Sequence, residues 1–291
     1  MVLLTQPPRQ VHTHLNRLII NRLPLALPPN TGDPAIYATG LLHFANIYVT
    51  FESAWIQALE RPPKRISRIL EQLHIPQLLR TARLKKDLAT LLSLPPHEVD
   101  NRLDDAQASP HLIAFINHIT FIIAQKPHVI IAYAWVMYMA LFNGGRWIRT
   151  QLISARDSAW TLPSSKTISF SADSKHERAL SFWHFPGPHD GEDIKNEFKS
   201  RLDEVESQLT LEERQDIVGE ARVVFENCAL LVGELDEILA AKQKATPSDS
   251  MAILLKHILP MGMTDLVTAL ASRIGLITPS GPGRAEQAKG G

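Results

Sequence analysis

The chain has 291 residues, enough for one large domain or two small ones around a substantial core. Hydrophobic residues make up 45% of it, and thirty basic side chains balance thirty acidic ones, so no overall positive field favours nucleic acid or an anionic membrane. The single cysteine, Cys228, excludes an internal disulfide framework and a thiolate zinc site, and it suits a reducing compartment.

The opening residues, MVLLTQPPRQ, lack the basic flank and long apolar stretch of a signal peptide. Residues 1–8 read as an N-terminal arm. A first helix is predicted from Arg9 to about Leu23, with Leu15, Leu18, Ile19 and Leu23 at helical spacing. Leu25 to Thr31 is a proline-rich connection. Asp33-Pro34 combines a capping residue with proline at the first helical position, and the second helix runs from there to Glu60, before Arg61-Pro62-Pro63. Helices over Lys64–His74 and Gln77–Leu92 follow. Ser109-Pro110 opens an apolar helix to Gln125, and Pro127 divides it from the next run.

That run, His128 to Arg149, is apolar and lacks the alternation of a strand, so it reads as helix. Its apolar part is too short to span a bilayer, which takes roughly twenty residues. Gly144 and Gly145 interrupt it, at a conformational cost of roughly 1 kcal/mol each against alanine. Such a pair marks either a kink or a place where something flat lies against bare backbone. Ser154 to Asp173 looks irregular, and His184 to Glu192 is a proline- and glycine-containing loop. Helices resume over Ile194–Glu206, Leu211 to about Ala241, and Ser248 to about Ile274; Thr210-Leu-Glu-Glu213 is a capping box. The organisation predicted is an all-α domain over 9–275 and a flexible tail over 276–291. No apolar segment of spanning length escapes a charge or a proline, so the expectation is a soluble, intracellular, cytoplasmic protein.

The phosphate-binding glycine loops and the G-x-S-x-G elbow are absent. His111 and His118 lie seven apart and can share a helix face, but two histidines are weak metal ligands alone. Glu71-Gln-Leu-His74 supplies one Glu-x-x-His element of a di-iron bundle, which needs two such elements and further carboxylates. Asp173-Ser-Lys-His176 falls in a stretch that reads as loop.

Gln10-Val-His-Thr-His-Leu-Asn16, Ala45-Asn-Ile-Tyr-Val-Thr-Phe-Glu52, and the run with Tyr138 six residues before Gly144-Gly145 follow one another along the chain. Phe182-Trp-His-Phe-Pro186, Ile194-Lys-Asn-Glu-Phe-Lys-Ser-Arg201 and Glu220-Ala-Arg-Val-Val-Phe225 come after them. In order and spacing this series resembles the haem oxygenase family over about residues 9 to 240. The LNRL and LPLALPP stretches and Phe51-Glu-Ser-Ala-Trp55 resemble a fungal branch of it.

The resemblance implies a multi-helical bundle holding haem b, as substrate and cofactor together, between a proximal and a distal helix. It implies His12 as the axial iron ligand, since neutral imidazole is a good haem donor. The family's glutamate four residues later is here Asn16, whose amide oxygen can accept from the ring but without a full charge. Lys195 and Lys199 match cations that meet the propionates, at a spacing that puts both on one helical face; Arg9 is a weaker candidate, and Phe225 matches a wall residue. A solvated helix face explains the lysines equally well.

The distal pattern Gly-Asp-Leu-Ser-Gly-Gly is here Ala140-Leu141-Phe142-Asn143-Gly144-Gly145. The proton-relaying aspartate falls on Leu141, and Asn143 is a doubtful substitute. Losing a positioned acid-base group typically lowers a rate by about 10²–10⁴-fold.

Three functions therefore stand open: an oxygenase giving biliverdin, carbon monoxide and ferrous iron, a non-catalytic haem carrier or sensor, and a scaffold without haem. The first would draw electrons from an NADPH-dependent flavoprotein reductase, with Arg146 and Arg149 on a docking face or merely solvated.

Overall fold

The computed structural model describes residues 9–60, 64–156, 179–185 and 187–244. The helices are α1 (Arg9–Arg22), α2 (Pro34–Glu60), α3 (Arg65–Leu73), α4 (Thr81–Leu91), α5 (Glu98–Ala106), α6 (Pro110–Gln125), α7 (Ile130–Ala140), α8 (Arg146–Arg156), α9 (Glu192–Glu206) and α10 (Leu211–Lys244). No strand occurs among the described residues, in keeping with the all-α expectation. The N-terminal arm, most of the irregular stretch after Ser154, the helix expected over 248–274 and the 276–291 tail lie outside the described residues. The chain divides after Glu237, and of the second unit only the end of α10 is described.

α5 was not anticipated. It is mostly polar, burying only Val99 and Leu103, so its apolar periodicity is too thin to read. The distal run is also longer than the sequence suggested, reaching Arg156. Pro127–Ser154 is the one helical run among the described residues long and apolar enough to cross a membrane, and 78% of its 18-residue apolar window is buried inside the fold.

α2 lies at the centre and packs on α3, α4, α5, α6 and α7. Ala45, Ile47, Tyr48, Phe51 and Trp55 are buried along it. α7 is buried on nearly all sides, as expected of a core helix that is apolar all round.

Helix ends expose N–H groups that need acceptors. Two starts are capped locally, as read from sequence: the Ala35 N–H donates to Asp33 Oδ1 at 2.8 Å, and Thr210 and Glu213 cap each other reciprocally. Others are capped by carboxylates distant in sequence. Glu52 of α2 accepts the Arg80 N–H at 2.7 Å and the Thr81 N–H at 2.9 Å, at the start of α4. The Thr81 hydroxyl at 2.6 Å and the Tyr138 hydroxyl at 3.0 Å donate to the same carboxylate. Glu234 of α10 accepts the His111 and Leu112 N–H groups at the start of α6. Asp87 of α4 accepts the Ser181 and Phe182 N–H groups, and its burial pushes its carboxyl up to about 6.

Arg80 is fully buried, and no carboxylate among the described residues pairs with its guanidinium. Nε donates to the Leu78 carbonyl at 2.8 Å and Nη1 to the His184 carbonyl at 3.2 Å, while Nη2 meets the Gln77 carbonyl. The guanidinium carbon sits 4.1 Å from the centre of the Phe185 ring. A planar fork on several carbonyls joins the α3–α4 connection to residues 182–185, which a lysine could not do.

Glu52→Ala should therefore destabilise the fold by about 3 kcal/mol or more, because several buried donors lose their acceptor at about 1–3 kcal/mol each. Glu213→Ala, in a more exposed local cap, should cost about 1 kcal/mol. Urea unfolding checks both, and equal losses would argue against a central role for Glu52.

Candidate functional site

His12 is exposed near the start of α1. Its ring meets Phe225 of α10 edge-on, at 5.5 Å between centroids and 89° between planes. Asn16 lies one turn on, with Nδ2 at 3.5 Å from His12 Nδ1 and 3.4 Å from Nε2. The near-equal distances place the amide beside the ring rather than in line with either nitrogen, so Asn16 does not select a tautomer. It is also the amide nitrogen that approaches, where the sequence suggested the oxygen. Arg9 begins α1, and its side chain lies outside the described residues.

Between α7 and α8, Leu141–Gly145 form a single π turn. The Tyr48 hydroxyl donates to the Met137 carbonyl at 2.9 Å. That carbonyl is the one an uninterrupted helix offers to the Leu141 N–H, which instead donates to the Tyr138 carbonyl. A side chain inserted into the ladder is a recognised cause of such a break, and π turns recur at functional sites. Neither Tyr48 nor the turn was apparent from sequence; the available signal was the tyrosine in Asn-Ile-Tyr-Val-Thr-Phe-Glu.

The two glycines differ in what surrounds them. A Cβ on Gly145 would lie 3.1 Å from Trp183 Cε3, and the Trp183 Nε1–H donates to the Tyr37 hydroxyl at 2.8 Å. A Cβ on Gly144 would meet nothing within 4 Å. Gly145 is thus closely packed, whereas Gly144 borders open space. Ala140 and Asn143 are exposed as Gly144 is, while Leu141 is 3% exposed and packs into the core.

The cations occupy α9, which starts after Gly191. That residue has φ +78, and a Cβ there would fall 2.6 Å from Phe185 Cγ. Lys195 and Lys199 are half-buried on successive turns. Lys195 Nζ pairs with Glu192 Oε1 at 2.9 Å, and the other oxygen of Glu192 pairs with Arg146 at 2.9 Å. Arg149 makes a bidentate pair with Asp190, at 2.7 and 2.6 Å. Arg146 and Arg149 thus tie α8 to the segment before α9. Glu192 was missed from sequence because its partner lies forty-six residues away.

Two clusters result. His12, Asn16 and Phe225 meet where α1 faces α10, and the π turn joins Lys195 of α9 through Arg146 and Glu192. The remaining sequence candidates have structural roles. His118 Nε2 lies 2.9 Å from Glu220, and His74 packs edge-on to Trp55. Asp173 and His176 lie outside the described residues. No group of three or more metal-binding side chains occurs among the described residues.

A sequence profile described as "Heme oxygenase" matches residues 9–232. The "Heme-binding protein HMX1" of Saccharomyces cerevisiae is 25% identical over 240 residues, covering 79% of this chain and 73% of that protein. Heme oxygenase 2 from Chlamydomonas reinhardtii, solved without heme, is similar in fold with a TM-score of 0.63 at 18% identity, over 79% of this chain and 94% of that one. Heme oxygenase-2 from Synechocystis, solved with heme and NO, gives a TM-score of 0.61 at 17% identity, over 89% of this chain and 93% of that one.

Gly145→Ala should cost about 1–3 kcal/mol through overpacking against Trp183. Gly144→Ala should gain about 0.5–1 kcal/mol from helix propensity. Denaturant unfolding of the pair measures the contrast. Arg149 holds the Asp190 carboxyl below its ordinary 3.8. A lowered acid contributes stability that is present above 3.8 and is lost as pH falls through the lowered value. The melting-temperature deficit of Asp190→Asn should therefore be full at about pH 6 and shrink below about pH 3.

Proposed function

The chain belongs to the haem oxygenase family, and from that membership we propose that it binds haem b between α1 and the α7–α8 run. The observation that carries this reading is Gly144, a helical glycine that no packing requires and that opens bare backbone beside exposed Ala140. A flat macrocycle needs such an approach, together with an imidazole and cations for its carboxylates. His12 is the iron ligand in this reading, with Asn16 beside it and Phe225 as a wall against its ring. Lys195 and Lys199 take the propionates, and Arg9 is a further candidate. When bound, haem supplies the iron centre at which dioxygen is activated.

Oxidation of haem to biliverdin, carbon monoxide and ferrous iron is the second part of the proposal, with electrons from an NADPH-dependent flavoprotein reductase. The residues favour binding over turnover. Leu141 is buried and can neither donate nor accept a proton, and the exposed Asn143 is not an acid. The nearby tyrosines are committed: Tyr48 donates to the Met137 carbonyl and Tyr138 to Glu52. Burial raises both phenols well above their ordinary value. The alternative, a haem-binding or sensing protein with little turnover, rests on the same Leu141 and accords with the name of the yeast relative.

Hemin titration of the purified chain should give a saturable Soret band that His12→Ala weakens or shifts. An identical band in the variant would remove His12 as ligand. With reductase and NADPH, slow carbon monoxide release with loss of the band is the oxygenase outcome, and a persistent band is the binding outcome. Leu141→Asp should raise turnover by about tenfold or more, within the range of a positioned acid-base group. An unchanged or lower rate in a folded variant would overturn this account of the distal side.

A further inference from the structure

The Glu192 carboxylate divides its two oxygens between cations on different elements. Oε1 is 2.9 Å from Lys195 Nζ, and Oε2 is 2.9 Å from Arg146, the residue directly after Gly145. Lys195 is the more sheltered partner, its side chain 17% exposed against 41% for Glu192. Both cations hold the Glu192 carboxyl below its ordinary range. Lys199, one turn further along α9, pairs with no described residue. The two lysines assigned to ligand carboxylates are therefore not equivalent: among the described residues only Lys195 already carries a carboxylate.

We propose that Glu192 is a specificity-determining residue that competes with a ligand carboxylate for Lys195. The inference rests on the haem-binding reading and adds a property of that site. A first ligand carboxylate reaches Lys199 without displacing any described group. A second gains Lys195 only by displacing Glu192, which keeps Arg146 and leaves its own negative charge near the incoming one. The gain from the second carboxylate is thereby reduced, and the preference for a dicarboxylate over its neutral ester is smaller than two lysines alone would give.

The test compares hemin with hemin dimethyl ester, which keeps the macrocycle and iron but lacks the carboxylates. Equilibrium dissociation constants come from the Soret band in the full chain, Glu192→Gln, Lys195→Met, the double variant, and Asp193→Asn as a control for net charge on the same turn. Glu192→Gln should tighten hemin by about twofold to fivefold, the range expected for a partly exposed ion pair, and leave the ester unchanged. The gain should vanish in the Lys195→Met background, shrink at high salt, and be absent in Asp193→Asn.

An unchanged hemin constant in Glu192→Gln, or an equal shift for both ligands, would overturn the competition. A gain that persists without Lys195 would do the same. If neither ligand gives a band that depends on His12, the haem-binding reading fails and takes this inference with it. If both bind through His12 without the differential effect, only the inference fails.

Discussion

Because Glu52 is buried on the central helix and charged groups in the interior need partners, its carboxylate has gathered donors from α4 and α7 around it. It satisfies backbone N–H groups at the start of α4 that have no partner within their own helix, and it fixes the Tyr138 ring in the core. α2, α4 and α7 are thereby set against one another at a single point. Tyr48, one turn before Glu52, donates to the Met137 carbonyl, so the same stretch of α2 both anchors α7 and breaks its hydrogen-bond ladder. The π turn follows, and the open backbone at Gly144 with it. Packing on Trp183 then holds the other side of the turn in place.

Much of the fold was legible in the sequence where the determinants are local. Asp33-Pro34 and the Thr210–Glu213 box announced their helices because each cap lies within a turn of the groups it satisfies. α5 was not legible, since its polar surface hides the spacing of Val99 and Leu103. The caps on α4 and α6 were invisible for a different reason: their acceptors, Glu52 and Glu234, come from helices far along the chain. No periodicity encodes such a pairing.

The candidate site divides in the same way. The paired glycines were visible, but their separate roles depend on Trp183, which approaches one and not the other. His12 and Phe225 were found by resemblance and lie in contact, whereas the sideways placement of Asn16 depends on rotamers that sequence does not carry. Lys195 and Lys199 looked alike as a helical pair. Only the fold shows that one of them is bound to a carboxylate that also reaches across to α8.

The buried Arg80 differs from the surface ion pairs in what acid can do to it. Its partners are carbonyl oxygens, which have no proton to gain, and burial lowers its own pKa only to about 10. Its link between the α3–α4 connection and residues 182–185 therefore keeps its charge state throughout the acid range. The Arg149–Asp190 link does not, because it ends on an acid. Acidification through the lowered Asp190 value should therefore quicken amide exchange around α8 and the start of α9 without discharging Arg80. One arginine bound to backbone rather than to a carboxylate thus gives residues 182–185 a tie that acid does not discharge.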